Sequence, residues 1–349
     1  MVISGTYNNG TPILECVPNF SEGQNLKVIA DIAGAVKQVK GVKLLHIDQG
    51  FDANRTVITF AGEPDGVVEA AYNATCKAAE LIDMRLHKGV HPRFGAVDVM
   101  PFIPVRGISM DETIVYARNL AKRIGNELDI SVYCYEQAAY KETRKKLENC
   151  RSGEYEGLPA KLADPNWKPD FGPCYLNVRS GAMAVGARKF LVAYNVNLNT
   201  ADVSIAKKVA SLIRESGLIK YEKQSNGALK RISNPGIFKN LKAIGWYIPG
   251  YGKSQVSMNV TDIDTTSLHI VFEEIKRLSM GFGVEVTGSE LVGLVPLKAL
   301  LDAGIFYNNK YTPPVYSSEQ QLLELAVSKL GLNDVAPFKY KERIIEYLL

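Results

Sequence analysis

Val42-Lys43-Leu44-Leu45-His46-Ile47-Asp48 and, past a polar interval, Thr56-Val57-Ile58-Thr59-Phe60-Ala61 read as two apolar strands, with Gly50, Asp52 and Asn54 between them marking a turn. Upstream, Ile13 to Pro18 reads as a short strand, and Gln24 to Val39 places Val28, Ile32 and Val36 at helical spacing before Gly41 closes the run. Downstream, Val67 to Met84 carries the apolar stripe of a long helix, and Ala96 to Val105 reads as a strand despite two prolines. The order is β-α-β-β-α-β. A helix from Ser109 to Leu128, opened by a Ser109 and Glu112 capping box, and a strand over Ile130 to Tyr135 extend the unit. Residues 137–173 are polar and rich in Pro and Gly, and read as a long connection.

The same order returns further on. Lys189 to Leu198 is an apolar strand, and Thr200 is placed to cap a helix over Ala201 to Glu215. Strands follow at Ala243 to Ile248 and Gln255 to Thr261, then a helix over Leu268 to Leu278 and a strand from Val284 into Val292. The expected fold class is α/β (α+β): two ferredoxin-like subdomains of β-α-β-β-α-β order, each sheet carrying helices on one face, with a cleft between them. The expected divisions are an N-terminal subdomain over 1–188, a C-terminal subdomain over 189–335 and a tail over 336–349.

Composition narrows the function. At 349 residues, 46% hydrophobic and 22% charged, the chain is long enough for two ordinary cores. A net charge of +4 without a polybasic run gives nucleic-acid binding no support, while a mild positive excess suits a small polyanionic ligand. No secretory signal and no run of roughly 18 apolar residues is seen, so no membrane partner is expected. Cys16, Cys76, Cys134, Cys150 and Cys174 are odd in number and contain no Cys-x-x-Cys pair, which fits reduced thiols in a cytoplasmic protein.

Four histidines are available as proton carriers near neutral pH: His46, His87, His91 and His269. Two share the segment His87-Lys88-Gly89-Val90-His91-Pro92-Arg93-Phe94-Gly95, an irregular loop between helix and strand. The His87 and His91 spacing matches paired zinc histidines, but Lys88 stands where that motif needs Glu, and Gly89 and Pro92 oppose a helix, so no metal is expected. A base needs an orienting carboxylate. Asp48, on the same strand face as His46, is one candidate, and Asp98 a second. The plainer alternatives are that His87 only orders the loop and that Asp48 only caps a turn. Pro249 to Ser254 and Gly281-Phe282-Gly283 lack the glycines that a nucleotide-binding loop requires.

Several segments together resemble the glutamate formimidoyltransferase family, including the N-terminal part of formimidoyltransferase-cyclodeaminase. They are Glu15-Cys16-Val17-Pro18-Asn19-Phe20-Ser21-Glu22-Gly23, Asn54-Arg55-Thr56-Val57, Leu81-Ile82-Asp83-Met84 with the histidine loop, and Gly186-Ala187-Arg188-Lys189-Phe190-Leu191-Val192-Ala193-Tyr194-Asn195. The likeness continues through Gly245-Trp246-Tyr247, Gly293-Leu294-Val295-Pro296-Leu297-Lys298-Ala299-Leu300-Leu301 and Lys341-Glu342-Arg343-Ile344-Ile345-Glu346-Tyr347-Leu348. The resemblance implies transfer of the formimidoyl group of N-formimidoyl-L-glutamate to N5 of tetrahydrofolate, a co-substrate, within histidine degradation.

It further implies that His91 is catalytic with Asp48 beside it. A folate-contacting stretch would comprise Gly172, Pro173, Cys174, Tyr175, Leu176, Asn177, Val178, Arg179, Ser180 and Gly181, joining the two halves, with a second contact at Leu212, Ile213 and Arg214. Cys174 to Ser180 depart from the animal enzyme's residues. A homodimer is implied, and a single-function enzyme, since Leu349 falls about where the bifunctional protein enters its linker. Arg55, Lys88, Arg93 and Arg188 are available for the glutamate carboxylates. Two alternatives stand: a folate enzyme acting on formyl-glutamate or 5-formyltetrahydrofolate, and a folate-binding protein without chemistry.

Overall fold

The structure, a computed structural model, describes residues 11–349 other than Asp52, Val90, His91, 225–228, Thr312 and Pro314, with backbone alone over 219–223 and 229–233. The chain divides into two compact units, one reaching to Lys189 and including Leu349, the other Phe190–Leu348. Among the described residues no helix is long and apolar enough to cross a membrane.

In the first unit the chain runs β1 (Ile13–Cys16), β2 (Asn19–Phe20), α1 (Leu26–Lys37), β3 (Val42–Gly50), β4 (Arg55–Gly62), α2 (Pro64–Leu81) and β5 (Val97–Arg106). It continues through α3 (Met110–Glu127), β6 (Ser131–Glu136), α4 (Leu147–Arg151), α5 (Leu158–Ala163) and β7 (Ala182–Ala187). β1 and β2 are two pieces of one line that lies between β4 and β5, antiparallel to both, and β3 pairs with the outer side of β4. That is the ferredoxin-like order, reached because each β-α-β crossover leaves room for the intervening strand. β7 and β6 then add to β5 in parallel. The break between β1 and β2 explains how β5 tolerates Pro101: there Val17 donates its N–H to the Pro101 carbonyl, and no ladder donor is needed from the proline.

Alternation sorts the side chains onto two faces. Cys16, Phe20, Ile58, Phe60, Met100, Phe102, Val132, Cys134, Met183 and Val185 pack with the apolar stripes of α1, α2 and α3. Val99, Tyr133, Tyr135, Ala182 and Ala184 point the other way, where Phe94, Cys150, Leu158 and Leu162 cover them. Residues 137–173, expected as a weakly ordered connection, therefore form a second layer over β5, β7 and β6, so helices cover both faces of that part of the sheet. Polar contacts hold this layer beside its apolar ones. Buried Arg144 pairs with Asp170 at 2.5 Å and donates to the Lys168 carbonyl at 2.6 Å, while Asp170 accepts from Cys134 N at 2.8 Å. The Lys161 ammonium caps the end of α4 by donating to the Asn149 and Cys150 carbonyls and to Ser152 Oγ.

The second unit contains β8 (Val192–Leu198), α6 (Val203–Ile213), the hairpin β9 (Leu218–Lys223) and β10 (Leu229–Asn234), β11 (Leu241–Ile248), β12 (Lys253–Val260), α7 (Leu268–Gly281), β13 (Val286–Val292), α8 (Leu297–Asn308), α9 (Glu319–Lys329) and α10 (Ile345–Leu348). Its sheet order, β11-β12-β8-β13, is again ferredoxin-like and antiparallel throughout. The cap of α6 is Asp202, which accepts from Ser204 N; the expected Thr200 instead accepts from Asp202 N, one step outside. The hairpin β9–β10 and the helix α8 are additions to the expected element order. Residues 336–349, expected as a tail, are packed in: Ile344 bridges Val295, and Ile344 and Ile345 are buried.

Candidate active site

Three connections meet at one end of the first sheet, because Phe20 at the end of β2 lies opposite Thr56 at the start of β4 and Val97 at the start of β5. They are the β2–α1 segment, the β3–β4 turn and the histidine loop before β5. Asn54 knots them. Its backbone is left-handed at φ 47, a conformation asparagine tolerates better than most residues. Its Oδ1 accepts from Gly23 N at 2.8 Å, its Nδ2 donates to the Lys88 carbonyl at 2.8 Å, and its own carbonyl faces His87 Nε2 at 2.8 Å. The approach is close enough that a Cβ on Gly89 would lie 2.3 Å from the Ala53 carbonyl.

Beneath the turn lies a buried ionic cluster. Between β2 and β5 the partners are Phe20 with Val97 and Asn19 with Val99, so Asp98 is the extra residue of a bulge. Its carboxylate is 2% exposed and accepts from Arg55 Nη1 at 3.0 Å, Arg151 Nη2 at 2.6 Å, Arg151 Nε at 3.2 Å and Phe94 N at 3.2 Å. Arg55 also donates to Asn19 Oδ1 through Nε at 3.0 Å and Nη2 at 2.5 Å. Burial pushes the Arg55 guanidinium down to about 10, with Asp98 opposing the shift, so it stays charged at neutral pH.

Arg93 forms a second cluster on the other side of the loop. Its Nη atoms donate to Glu154 at 3.2 Å and to Glu156 at 2.9 and 2.7 Å, and its Nε donates to His87 Nδ1 at 3.2 Å. The bond to Glu156 raises the guanidinium pKa and lowers that of the Glu156 carboxyl. With Nδ1 accepting, the His87 ring carries its proton on Nε2 and donates it to the Asn54 carbonyl. Both ring nitrogens are occupied, so His87 orders the loop, the plainer of its two readings.

His91 lies outside the described residues. Asp48 stands on β3 opposite Val57, exposed and on the same face as His46, which lies opposite Thr59. Asp98, the second carboxylate of the sequence reading, is the one built into the cluster beneath the loop. Of the cations considered for substrate carboxylates, Arg55 and Arg93 are engaged internally and Arg188 donates to the Lys189 carbonyl at 2.9 Å, while Lys88 is exposed beside the loop.

Residues 172–181, expected to join the two halves, run wholly within the first unit and lead into β7. Ser131 Oγ donates to the Pro173 carbonyl, Tyr175 OH to Asp129, and Asn177 Oδ1 accepts from Arg179 N and Ser180 N. The Arg179 guanidinium donates to the Ala79 and Glu80 carbonyls at the end of α2. Cys174, Tyr175 and Val178 are exposed, and Gly181 bridges Gly95 at the end of the histidine loop. In the second unit Ile213 is fully buried, and Arg214 donates to the Gly217 carbonyl at 3.0 Å and the Ala243 carbonyl at 3.5 Å. The Leu212 and Ile213 carbonyls accept from Ile237 and Phe238. Asn19, Arg151, Glu154, Tyr155 and Glu156 were not singled out by sequence. The only signal was an acidic pair between Gly153 and Gly157.

Two ferredoxin-like units, the first carrying a histidine loop braced by buried ions at one end of its sheet, define a two-subdomain α+β protein. Residues 13–188 match the family model described as the formiminotransferase domain, N-terminal subdomain, and residues 193–349 match that of the formiminotransferase domain. The chain belongs to the formiminotransferase family.

The chain is 48% identical over 337 residues to the formimidoyltransferase-cyclodeaminase of Rattus norvegicus, covering 97% of this chain and 60% of the relative's length. It is 41% identical over 295 residues to the glutamate formimidoyltransferase of Streptococcus pyogenes serotype M1, covering 84% of this chain and 93% of the relative. The protein of that name from Thermoplasma acidophilum is 39% identical, with 84% and 92% covered. The chain thus spans 60% of the length of the animal relative but nearly all of the shorter ones can be aligned to it.

Proposed function

We propose that this protein transfers the formimidoyl group of N-formimidoyl-L-glutamate to N5 of tetrahydrofolate, releasing L-glutamate and 5-formimidoyltetrahydrofolate, as a cytoplasmic homodimer serving histidine degradation. The observation that carries the reading is the bracing on either side of residue 91: His87 on Asn54, Gly89 against Ala53, Arg93 between Glu154 and Glu156, and Phe94 on Asp98. A loop held at so many points is the kind of support a proton-transfer group needs to meet two substrates in register.

Attack by N5 on the formimidoyl carbon makes a tetrahedral adduct, and its collapse expels the glutamate nitrogen. N5 must shed a proton and the leaving nitrogen must gain one, so one imidazole between them serves as base and then as acid. His91 takes this role, with the Asp48 carboxylate stabilising the imidazolium. Residues 172–181 hold the folate, with Leu212, Ile213 and Arg214 as the second contact. Of these three, Ile213 is turned into the core and Arg214 donates to the Gly217 and Ala243 carbonyls, while Leu212 is half-buried. Lys88 is the cation open to a glutamate carboxylate. No step calls for a metal.

The test is an assay of the purified protein with tetrahydrofolate and N-formimidoyl-L-glutamate, run beside His91→Ala. The expected outcome is formation of both products, with the variant still binding folate but slowed by about 100- to 10,000-fold. Transfer only from formyl donors would replace the substrate, and folate binding with no turnover by the unmodified protein would reduce it to a binding protein. Equal rates in the two proteins would remove His91 from the mechanism.

A further inference from the structure

Residues 151–157 belong to the layer that covers β5, β7 and β6, yet they reach the histidine loop and the 172–181 stretch at the same time. Tyr155 makes both connections. Its backbone N–H donates to the Arg93 carbonyl at 3.0 Å, and its phenol donates to the Val178 carbonyl at 2.5 Å. The ring between these bonds packs against both hydrophobic clusters of the first unit.

The turn that carries Tyr155 is tightly drawn. Gly157 N donates to the Gly153 carbonyl at 2.7 Å, and a Cβ on Gly157 would lie 2.6 Å from that oxygen. Glu154 sits at φ 54, a left-handed conformation that residues other than glycine and asparagine rarely adopt. In that conformation Glu154 faces Arg93 from one side of Tyr155 while Glu156 faces it from the other. The two loops also meet directly: Ala96 N donates to the Ser180 carbonyl at 2.9 Å and Ala182 N to the Phe94 carbonyl at 3.0 Å. Tyr155 adds a further tie beside these backbone bonds, one step inward at Arg93 and two at Val178.

We propose that Tyr155 is a positioning residue, locking the histidine loop to the 172–181 stretch so that a substrate held on the second is presented in register to the first. The proposal rests on the transferase reading and deepens it. Tyr155 touches no reacting atom. Among the described residues its phenol makes the one hydrogen bond from the 153–157 turn to the 172–181 stretch.

The test is Tyr155→Phe in the full chain, which keeps the ring and the backbone bond to Arg93 and removes only the bond to Val178. Hydrogen exchange is followed by mass spectrometry in peptides spanning 92–96 and 174–182, where the Ala96 and Ala182 amides report on the contact between the loops. Loss of one ordinary hydrogen bond should speed exchange in both peptides by about fivefold to tenfold. In steady state kcat should fall by about tenfold while KM for tetrahydrofolate stays within about twofold, since binding survives and register does not.

Unchanged exchange in the 174–182 peptide overturns the proposal, as does faster exchange with kcat unaltered. A merely structural tyrosine would lower the melting temperature without this division between kcat and KM. If the unmodified protein transfers no formimidoyl group while exchange rises in both peptides, the lock between the loops stands and the transferase reading falls.

Discussion

Replacing Asp98 by Asn should unfold the first unit at markedly lower denaturant. The carboxylate is 2% exposed and accepts four hydrogen bonds, three from guanidinium groups and one from Phe94 N. An amide of the same shape keeps one acceptor oxygen, but it turns an NH2 group toward a donor and leaves Arg55 and Arg151, with side chains 16% and 13% exposed, without their shared counter-charge. Breaking a buried ion pair from one side costs about 3–5 kcal/mol, a large part of the roughly 5–15 kcal/mol that holds an ordinary domain together. Urea unfolding at pH 7 of Asp98→Asn, Arg151→Met and the double variant closes the cycle. Once Arg151 is gone, losing the carboxylate strands one cation rather than two, so the double variant should recover about 1–3 kcal/mol relative to the sum of the singles. A loss below about 1 kcal/mol for Asp98→Asn, or strict additivity, would refute the claim that this carboxylate holds the cluster together.

Gly89→Ala should cut turnover by about 100-fold with a small change in melting temperature, because its Cβ would meet the Ala53 carbonyl at 2.3 Å and displace an exposed loop by part of an ångström; equal turnover in parent and variant would speak against the loop as the site. Ser109→Ala removes the acceptor for Glu112 N at 3.2 Å and weakens a capping box that also bonds Ser109 N at 2.8 Å, so denaturant titration should show about 1 kcal/mol of lost stability. His269 is buried and stacked on Phe306 at 4.5 Å, its Nδ1 without a hydrogen bond among the described residues. Burial lowers its pKa from 6.5, with Asp302 and Glu273 opposing. The unfolded chain therefore takes up this proton first, and stability declines as pH falls through 6.5 toward the lowered value. Melting curves at pH 7.5 and pH 5 should show His269→Leu losing less stability on acidification than the parent; an equal loss would assign the acid sensitivity elsewhere.

The ferredoxin-like order was legible because it depends on local patterns. The apolar run of β4, the apolar stripe of α2 and the Ser109 cap are each written within a few residues, and each formed close to where it was expected. β7 was not legible, since Ala182 to Ala187 is short and rich in alanine and glycine, and its burial comes from strands on either side of it. The cap of α6 moved from Thr200 to Asp202 because two good capping residues stand two apart, and spacing alone does not choose between them. Within the candidate site the histidine loop was visible, but its supports were not. Asp98 gains its position from a bulge in a ladder with β2, and Arg151 reaches Asp98, as Glu154 and Tyr155 reach the loop, across more than fifty residues of chain. Such contacts leave no periodic trace.

The place of β7 has a consequence for how the chain comes into being. β5 and β6 are made early and are not neighbours; the strand that fills the space between them ends only at Ala187. Until it emerges during synthesis, both strands present unpaired backbone groups facing the same gap, which invites pairing with another chain. Residues 182–187 therefore act as a late-arriving seal. A gene fragment cut between 137 and 181 should yield insoluble protein however well its helices form, whereas one that runs past Ala187 includes every strand of the first sheet.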